Sequence, residues 1–457
     1  MTHTDTSIQP YIVPGRRVHL AGIGGVSMSP LAEVLHGMGL AVQGSDQSGS
    51  PAVDHLRAQG ISVHVGHEAS DIEGAEFLIR TAAIHDDNPE IAAARAQGIP
   101  VFERAEAWGA IMRQYENAVC IAGTHGKTTT TSMTTHIFMA AQADPTVMIG
   151  GTLPMLHSGY RVGRGDTIIL ESCEYCNSFL HFFPTVAVVL NVEADHLDFF
   201  KDLDDIKRSF RRFAQLTPPD GRIVVNADDE GAMDALKGLP LFTFGCREGA
   251  DCQARDLTWH GGRPDFDVVV DGKVYTHLNL RVAGLHNVYN ALAAASAAYV
   301  LGIPSKAVRQ GLEGFFGAGR RFELKGQYNG ARVYDDYAHH PAELRALLEM
   351  AQSLGSERVI CAFQPHTYTR TKALFDDFVR ELQLADLVIL TDIYAAREQN
   401  TIGISSRDLA ERIPGALYCP SLPEAAEKLR ELAQPGDLIV TAGAGDIYTV
   451  GEMLLSK

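Results

Sequence analysis

The residues with the plainest chemical purpose are Gly123-Thr124-His125-Gly126-Lys127-Thr128, set between the apolar run AVCIAG and a helical pattern that continues through residue 141. In such a strand–loop–helix the backbone N–H groups, the positive helix end and the lysine ammonium converge on phosphate oxygens, while the Thr128 hydroxyl can reach Mg²⁺. The loop is a shortened variant, because Ile121 stands where the usual pattern has its first glycine. A second glycine run, Gly22-Ile23-Gly24-Gly25-Val26-Ser27, follows the first strand pattern, and Asp46 ends the second. It has the form of a dinucleotide fingerprint, with glycines for close phosphate approach and an acid for a ribose hydroxyl. Ser27 replaces the third glycine, so two phosphorylated ligands fit the chain better than one dinucleotide; a tight turn serving only the fold is the alternative.

Glu171 lies at the end of the strand pattern TIIL, and Asp195 and His196 lie just past TVAVVLNV. The carboxyl ends of parallel strands line one crevice, so Glu171 and His196 can hold Mg²⁺ while Asp195 orients or caps. Cys173 and Cys176 form a lone CxxC, which specifies neither zinc nor redox chemistry and suits small buried side chains better. His286, Asn287 and Asn290 open an Ala-rich helix, where amides either read an adenine edge or cap the helix. Arg320-Arg321 sits in a Gly-rich bend, as a phosphoryl clamp or a solvated pair. The runs DDYAHHP, with His340, and QPHTYTR, with His366 and Arg370, each follow an apolar strand pattern and point to a ligand at one rim.

Elements of three kinds must position these groups. Over the first hundred or so residues, short apolar runs alternate with amphipathic ones, the signature of βα units on a parallel sheet. A polar stretch at 113–117 marks the first boundary. The middle region continues α/β, changes to an antiparallel insertion over 252–282 with turns at GGRPD and DG, and then carries a helix over 288–301. A Gly-rich bend at 315–321 is the second boundary, and from Phe322 the chain alternates again, with a helix over 341–354. The expected architecture is α/β in three domains: a Rossmann-like N-terminal domain over 1–115, a central P-loop ATPase-type domain over 116–318 and a Rossmann-like C-terminal domain over 319–457.

Composition agrees with this and excludes other classes. The chain of 457 residues, 46% hydrophobic and 21% charged, has the balance of a globular protein, and its longest near-continuous apolar stretch, 291–301, is too short for a bilayer. The net charge of -17 with no basic stripe argues against nucleic-acid binding. The seven cysteines lack framework spacing and the first residues lack a signal pattern, which suggests a cytoplasmic protein with reduced thiols and no membrane insertion.

Taken together, AGIGGVSMSPLAEVL, GSD, GTHGKTTTT, ES-CEY-NSF, NVEADHLD, HNVYNALAA, GRRFE, DDYAHHP, FQPHTYTRT and TAGAGD, in this order over nearly the whole chain, resemble the Mur ligase family, ATP-dependent amide-forming enzymes of peptidoglycan assembly. The nearest branch is the one that adds L-alanine to UDP-N-acetylmuramate. The resemblance implies an N-terminal domain for the UDP sugar, a central ATPase domain and a C-terminal domain for the amino acid. By position it implies catalytic roles for Lys127, Glu171, His196, Arg320, Arg321 and His340. ATP contacts would come from Gly123, Thr124, His125, Gly126, Lys127, Thr128, Thr129, His286, Asn287 and Asn290, and Mg²⁺ ligands from Thr128, Glu171 and His196. Substrate contacts would come from Gly22, Gly24, Gly25, Asp46, His125, His366 and Arg370. The bends at 113–117 and 315–321 would be hinges, and the protein a monomer or weak homodimer. Thr367 and Arg397 depart from the residues common in relatives, and Lys207 is out of place for the carbamylated lysine of sister ligases, so none is expected. Two other classes stay open. An NAD-dependent oxidoreductase would use Gly22 to Asp46 and leave Lys127 idle; a nucleotide-gated binding protein would use both loops and need neither Glu171 nor His196.

Overall fold

The computed structural model describes residues 7–81, 83–197, 199–396 and 398–456. They form two compact units, one of residues 1–192, 206–244 and 293–308, the other of 193–205, 245–292 and 309–457. Among the described residues no helix is long and apolar enough to cross a membrane.

The first unit opens with β1 (Arg17–Ala21), α1 (Met28–Gly37), β2 (Ala41–Asp46), α2 (Pro51–Ala58), β3 (Ser62–Val65), β4 (Phe77–Arg80), α3 (Pro89–Ala96), β5 (Val101–Glu103) and α4 (Arg104–Met112). The 5-stranded sheet is parallel in the order β3-β2-β1-β4-β5, so the strand order reverses at β1, beside the Gly22 turn. Helix α4 has no counterpart in the sequence reading. Its residues are buried on almost every side, which erases the amphipathic period, although Glu103 and Glu106 close a capping box at its start.

The same unit continues with β6 (Asn117–Ala122), α5 (Lys127–Ala140), β7 (Thr146–Leu153), β8 (Ser158–Arg161), β9 (Thr167–Glu171), β10 (Val186–Val189), α6 (Leu203–Ala214), β11 (Arg222–Asn226), α7 (Glu230–Ala235) and β12 (Leu241–Gly245). These strands run β12-β11-β10-β6-β9-β7-β8, parallel except for β8, and the order reverses at β6, from whose end the Lys127 loop springs. The β7–β8 hairpin was not expected. Helix α5 is rich in β-branched threonine, a poor helix former, yet its hydroxyls bond back within the helix: Thr131 to Lys127 O, Ser132 to Thr128 O, Thr134 to Thr130 O and Thr135 to Thr131 O, each at 2.8 Å.

The second unit holds the antiparallel strands β13 (Cys252–His260), β14 (Arg263–Val270) and β15 (Lys273–Asn279), as expected. Asp271 and Gly272, both at positive φ, make the two-residue turn between Val270 and Lys273. Helices α8 (Leu285–Val300) and α9 (Ser305–Glu313) follow in the chain, with residues 293–308 counted in the first unit. The C-terminal part comprises β16 (Glu323–Tyr328), β17 (Ala331–Asp336), α10 (Pro341–Ser353), β18 (Arg358–Phe363), α11 (Tyr368–Ala373), α12 (Phe375–Leu382), β19 (Leu387–Leu390), α13 (Ser406–Arg412), β20 (Leu417–Tyr418), α14 (Leu422–Leu432), β21 (Asp437–Ala442) and α15 (Tyr448–Leu455). Its 6-stranded sheet runs β16-β17-β21-β18-β19-β20, parallel apart from the edge strand β16, which the sequence reading omits. Residues 368–382 form two helices, α11 and α12, parted at Leu374.

In the first unit α4 lies against a short 3-10 segment, Tyr175–His181, at van der Waals limits: a Cβ at Gly109 would stand 2.0 Å from the His181 carbonyl oxygen. Phe179 of that segment is fully buried, stacked on Phe213 at 4.7 Å and edge-on to Phe210 at 5.3 Å. Gly109→Ala is therefore expected to destabilise the chain by about 1–3 kcal/mol through overpacking. Gly37→Ala, at an exposed helix end with nothing within 4 Å of the added Cβ, serves as control and should not destabilise it. Equal thermal midpoints for the two variants would remove the close contact from the account.

Candidate functional site

In the first unit the loop between β6 and α5 is fastened to the chain leaving β10. The Thr124 N–H donates to Asn191 O (3.1 Å), the His125 N–H to Asn191 Oδ1 (2.7 Å), and Asn191 Nδ2 to His125 O (3.1 Å). Lys127 lies back over the loop, its ammonium donating to Gly123 O, to Thr124 O (3.0 Å) and to Glu174 Oε2 (3.1 Å). The Lys127 side chain is 14% exposed and that of Glu174 3%. Burial pushes the ammonium toward deprotonation, but Glu174 foremost, with Cys173 and Glu171, holds its pKa above the usual lysine value. At the next residue, the Thr128 hydroxyl donates to Glu171 Oε1 at 3.1 Å, and Glu171 Oε2 accepts the Gly150 N–H at 2.6 Å. Thr128 and Glu171, two of the three Mg²⁺ ligands that the resemblance implies, are thus neighbours. Glu174 and Asn191 were not singled out, although both fall inside the quoted motifs.

The Gly22 turn lies at the end of β1 as expected, and Asp46 at the end of β2. Asp46 Oδ2 accepts the Gly24 N–H at 2.8 Å, so the carboxylate read as a ribose ligand is engaged in closing the turn. Behind it is a buried charge that sequence patterning did not reveal: Glu90, 0% exposed, stands 3.4 Å from His19 Nε2 and 3.3 Å from His67 Nδ1. Burial raises the Glu90 pKa, but His19 and Ser45 bring it below the ordinary value. At the ends of β4 and β5 opens a cavity of about 590 Å³, lined among others by Arg80, His85, Asp86, Glu103, Arg104 and His181. Cys176 lines it too, whereas Cys173 is half-buried and its thiol is pushed up to about 12 by desolvation and by Glu174. Neither cysteine is in a disulfide.

In the second unit Asp195, Arg370 and His366 come together. Arg370 Nη2 donates to Asp195 Oδ1 at 3.0 Å, and Arg370 Nη1 lies 3.3 Å from His366 Nδ1. Burial raises the Asp195 pKa, but Arg370, followed by His196 and His340, holds the carboxyl well below its usual range. The His366 ring stacks on Tyr394 and meets His339 edge-on; burial pushes His366 and His339 down to about 4, so both are neutral at pH 7. Thr367 adopts φ 67°, a strained value for a β-branched residue, where its N–H reaches Tyr394 O (2.9 Å). A pocket of about 180 Å³ opens here between Ala194, Asp195, His196, Leu197, Arg370 and Leu374. The departure at Arg397 lies outside the described residues.

Other expected residues are engaged within the protein itself. His340 Nδ1 accepts the Ala342 N–H at 3.3 Å and caps α10, which occupies the nitrogen lone pair a proton would take. The clamp expected of Arg320 is already closed on the protein: Nε donates to Asp335 (2.9 Å), Nη1 to Gly445 O (3.0 Å) and Nη2 to Gly443 O (2.7 Å). Arg321 stands 5.2 Å over the Tyr337 ring, beside Asp336, whose buried carboxyl is pushed up to about 6 despite that arginine. Asn287 Nδ2 donates to Ala283 O (2.7 Å) and Asn290 Nδ2 to Asn287 Oδ1 (3.2 Å), the local bonding that the capping alternative describes, and burial with Arg321 pushes His286 down to about 4.

Comparison with known proteins places this arrangement. The models described as Mur ligase family, catalytic domain; Mur ligase middle domain; and Mur ligase, glutamate ligase domain match residues 17–116, 121–298 and 320–445. UDP-N-acetylmuramate–L-alanine ligase of Caldanaerobacter subterraneus is 45% identical over 97% of this chain and 98% of its own. The ligase of the same name from Agathobacter rectalis is 46% identical over 96% and 98%. Among solved structures, UDP-N-acetylmuramate-alanine ligase of Thermotoga maritima superposes with a TM-score of 0.80 at 29% identity, over 96% of this chain and 98% of that one. A murein peptide ligase of Psychrobacter arcticus shares the fold, with a TM-score of 0.71 at 24% identity over 96% and 98%. With its three α/β parts matched in order and relatives aligned along nearly its whole length, the chain belongs to the Mur ligase family.

Proposed function

We propose that this chain is an ATP-dependent ligase that joins L-alanine to the lactyl carboxylate of UDP-N-acetylmuramate through an acyl phosphate, releasing ADP and phosphate, in peptidoglycan precursor synthesis. The observation that carries the reading is the pair of relatives named for this reaction, which align over 97% and 96% of the chain. Residues 1–115 would hold the sugar nucleotide, 116–318 the ATP and 319–457 the amino acid.

A carboxylate and an amine do not condense in water, because the departing oxygen is a poor leaving group; phosphorylation by ATP supplies a better one. Lys127 holds its charge where phosphate oxygens of ATP would lie, and the Thr124 and His125 backbone, tied to Asn191, fixes the loop that positions them. The oxygen donors Thr128 and Glu171 suit a hard divalent cation, and bound Mg²⁺ would neutralise charge on the transferring phosphoryl group. Arg321 is assigned to the phosphates, with Arg320 positioning it from its seat on Asp335. Arg370, oriented by Asp195, would receive the alanine carboxylate, and the small pocket beside it would receive the methyl group. The neutral imidazole of His366 can accept a proton from the amine as it attacks the acyl carbon.

The decisive assay is ADP release with Mg-ATP and UDP-N-acetylmuramate, adding L-alanine, glycine, L-serine, D-glutamate or a murein tripeptide separately. Release that needs the sugar nucleotide and is fastest with L-alanine is expected; preference for the tripeptide would move the chain to the recycling branch, and no release would end the ligase reading. Lys127→Ala should lower kcat by a factor on the order of 10²–10³ and, by stranding a buried carboxylate, cost about 3–5 kcal/mol of stability. Lys127→Ala/Glu174→Gln should regain the stability and not the activity; a double variant as unstable as the single one would deny the ion pair its role. The neutral imidazoles also predict acid lability. His286, His339 and His366 are held near 4 in the folded chain against an ordinary 6.5, so the unfolded chain binds more protons and stability is lost as pH falls from 6.5 toward 4. Asp336, raised to about 6, opposes this in part. Calorimetry at pH 5.5 should show net proton uptake on unfolding, and a denaturation midpoint that is level from pH 6.5 to 4.5 would contradict the assignment.

A further inference from the structure

The β7–β8 hairpin enters none of the steps so far, yet it touches a carboxylate expected to hold the cation. Strand β7 pairs with β9 as far as Met148 against Leu170, and its register with β8 is broken between Met148 and Leu153. Where the ladder stops, the Gly150 N–H turns to a side chain and donates to Glu171 Oε2 at 2.6 Å. Glu171 Oε1 faces the Thr128 hydroxyl at 3.1 Å. One oxygen of the carboxylate is thus held by the hairpin, and the other lies beside the second oxygen donor. An outer partner of this kind orients a carboxylate ligand and tunes its affinity for the ion.

The close approach depends on the absence of a side chain. A Cβ at Gly150 would stand 2.6 Å from Glu171 Oε1 and 2.8 Å from both Cδ and Oε2, and across the hairpin a Cβ at Gly159 would stand 2.8 Å from Gly151 O. Gly150 is exposed and lies outside the positive-φ region, so its backbone accepts alanine. What an added methyl group meets is the end of a flexible side chain; alanine there displaces the carboxylate and spares the fold.

The other side of the hairpin is fastened to the N-terminal part. The Tyr160 hydroxyl on β8 donates to Glu33 Oε1 on α1, and Glu33 is held in turn by Gln59 Nε2 at 2.9 Å and His55 Nε2 at 3.3 Å, both on or next to α2. Burial foremost, with Glu33, raises the Tyr160 pKa, so the phenol keeps its proton and remains a donor. Resting on the reading of Glu171 as a Mg²⁺ ligand, we propose that Gly150 is a positioning residue for that carboxylate, and that the Tyr160–Glu33 bond holds the hairpin, and with it the Gly150 N–H, in place.

The test is Mn²⁺ binding to the full chain in the presence of ADP, followed by electron paramagnetic resonance, for Gly150→Ala, Tyr160→Phe and Glu171→Gln. Thermal midpoints and metal-free ADP affinity are measured beside it; Mn²⁺ shares the oxygen preference of Mg²⁺. Gly150→Ala is expected to weaken Mn²⁺ by about ten- to a hundredfold, with the midpoint and metal-free ADP affinity unchanged. Tyr160→Phe keeps the ring and drops the donor, and should weaken Mn²⁺ by about two- to tenfold. If Glu171→Gln loses the ion while Gly150→Ala binds it as before, the proposal is overturned and Glu171 stands as a ligand. A midpoint that falls together with the affinity would mark a structural role and overturn it too, as would an equal loss of metal-free ADP. Unchanged affinity in Tyr160→Phe would overturn the anchor. Glu171→Gln that binds Mn²⁺ like the unaltered chain would sink the ligand reading, and this proposal with it.

Discussion

An ammonium group withdrawn from water must have a carboxylate at hand, and the first unit is organised round the one that Lys127 finds in Glu174. Glu174 immediately precedes the 3-10 segment Tyr175–His181, and that segment is anchored three times: by Phe179 among Phe210 and Phe213, by Ser209, whose hydroxyl donates to Asn177, and by Gly109 against His181. Charge pairing at the phosphate loop and aromatic packing in the core are therefore consequences of a single short stretch of chain. The same stretch supplies Cys176, Ser178 and His181 to the wall of the large cavity. Its backbone passes through positive φ at Cys176 and Asn177, a conformation that persists only where the surroundings over-determine it, as they do here.

The second unit applies the same rule with arginine. Asp195 holds Arg370 so that the remaining guanidinium donors keep a fixed direction, and the imidazoles packed near it are kept neutral by burial. Arg320 shows the other outcome. With each of its nitrogens donating to β17 or to the loop after β21, it joins two strand ends, and its value lies in the geometry it imposes on Tyr337 and Arg321. Two adjacent arginines of the same sequence motif thus do different work, and only the acceptors around them distinguish it.

The legible part of this protein was what periodicity and motif order carry. Alternating apolar runs gave the parallel sheets, the DG turn gave the β14–β15 hairpin, and the Lys127 loop lay between strand and helix as read. What escaped had physical reasons. Helix α4 is buried all round and shows no amphipathic stripe; the edge strands β8 and β16 are short and partly exposed, so neither alternation nor apolarity marks them. Glu174, Asn191 and Glu90 acquire their importance from partners far away in the chain, Lys127 at a separation of 47 residues and His125 at 66, and no local pattern encodes that. The glycine turn is the instructive case: its composition was read as phosphate binding, while its hydrogen bonds show amides already given to Ser45 and Asp46.

The threonine-rich helix α5 has one more consequence. Because the hydroxyls of Thr131, Ser132, Thr134 and Thr135 are satisfied by carbonyls of the same helix, that stretch asks for no polar partner from its neighbours, and all four residues are fully buried. A helix sheathed in this way excludes water along its flanks, so the field of its aligned peptide dipoles is attenuated little by solvent before it emerges at the loop of Lys127. What reads in the sequence as a run of indifferent helix formers is, in electrostatic terms, an insulated conductor with one bare end.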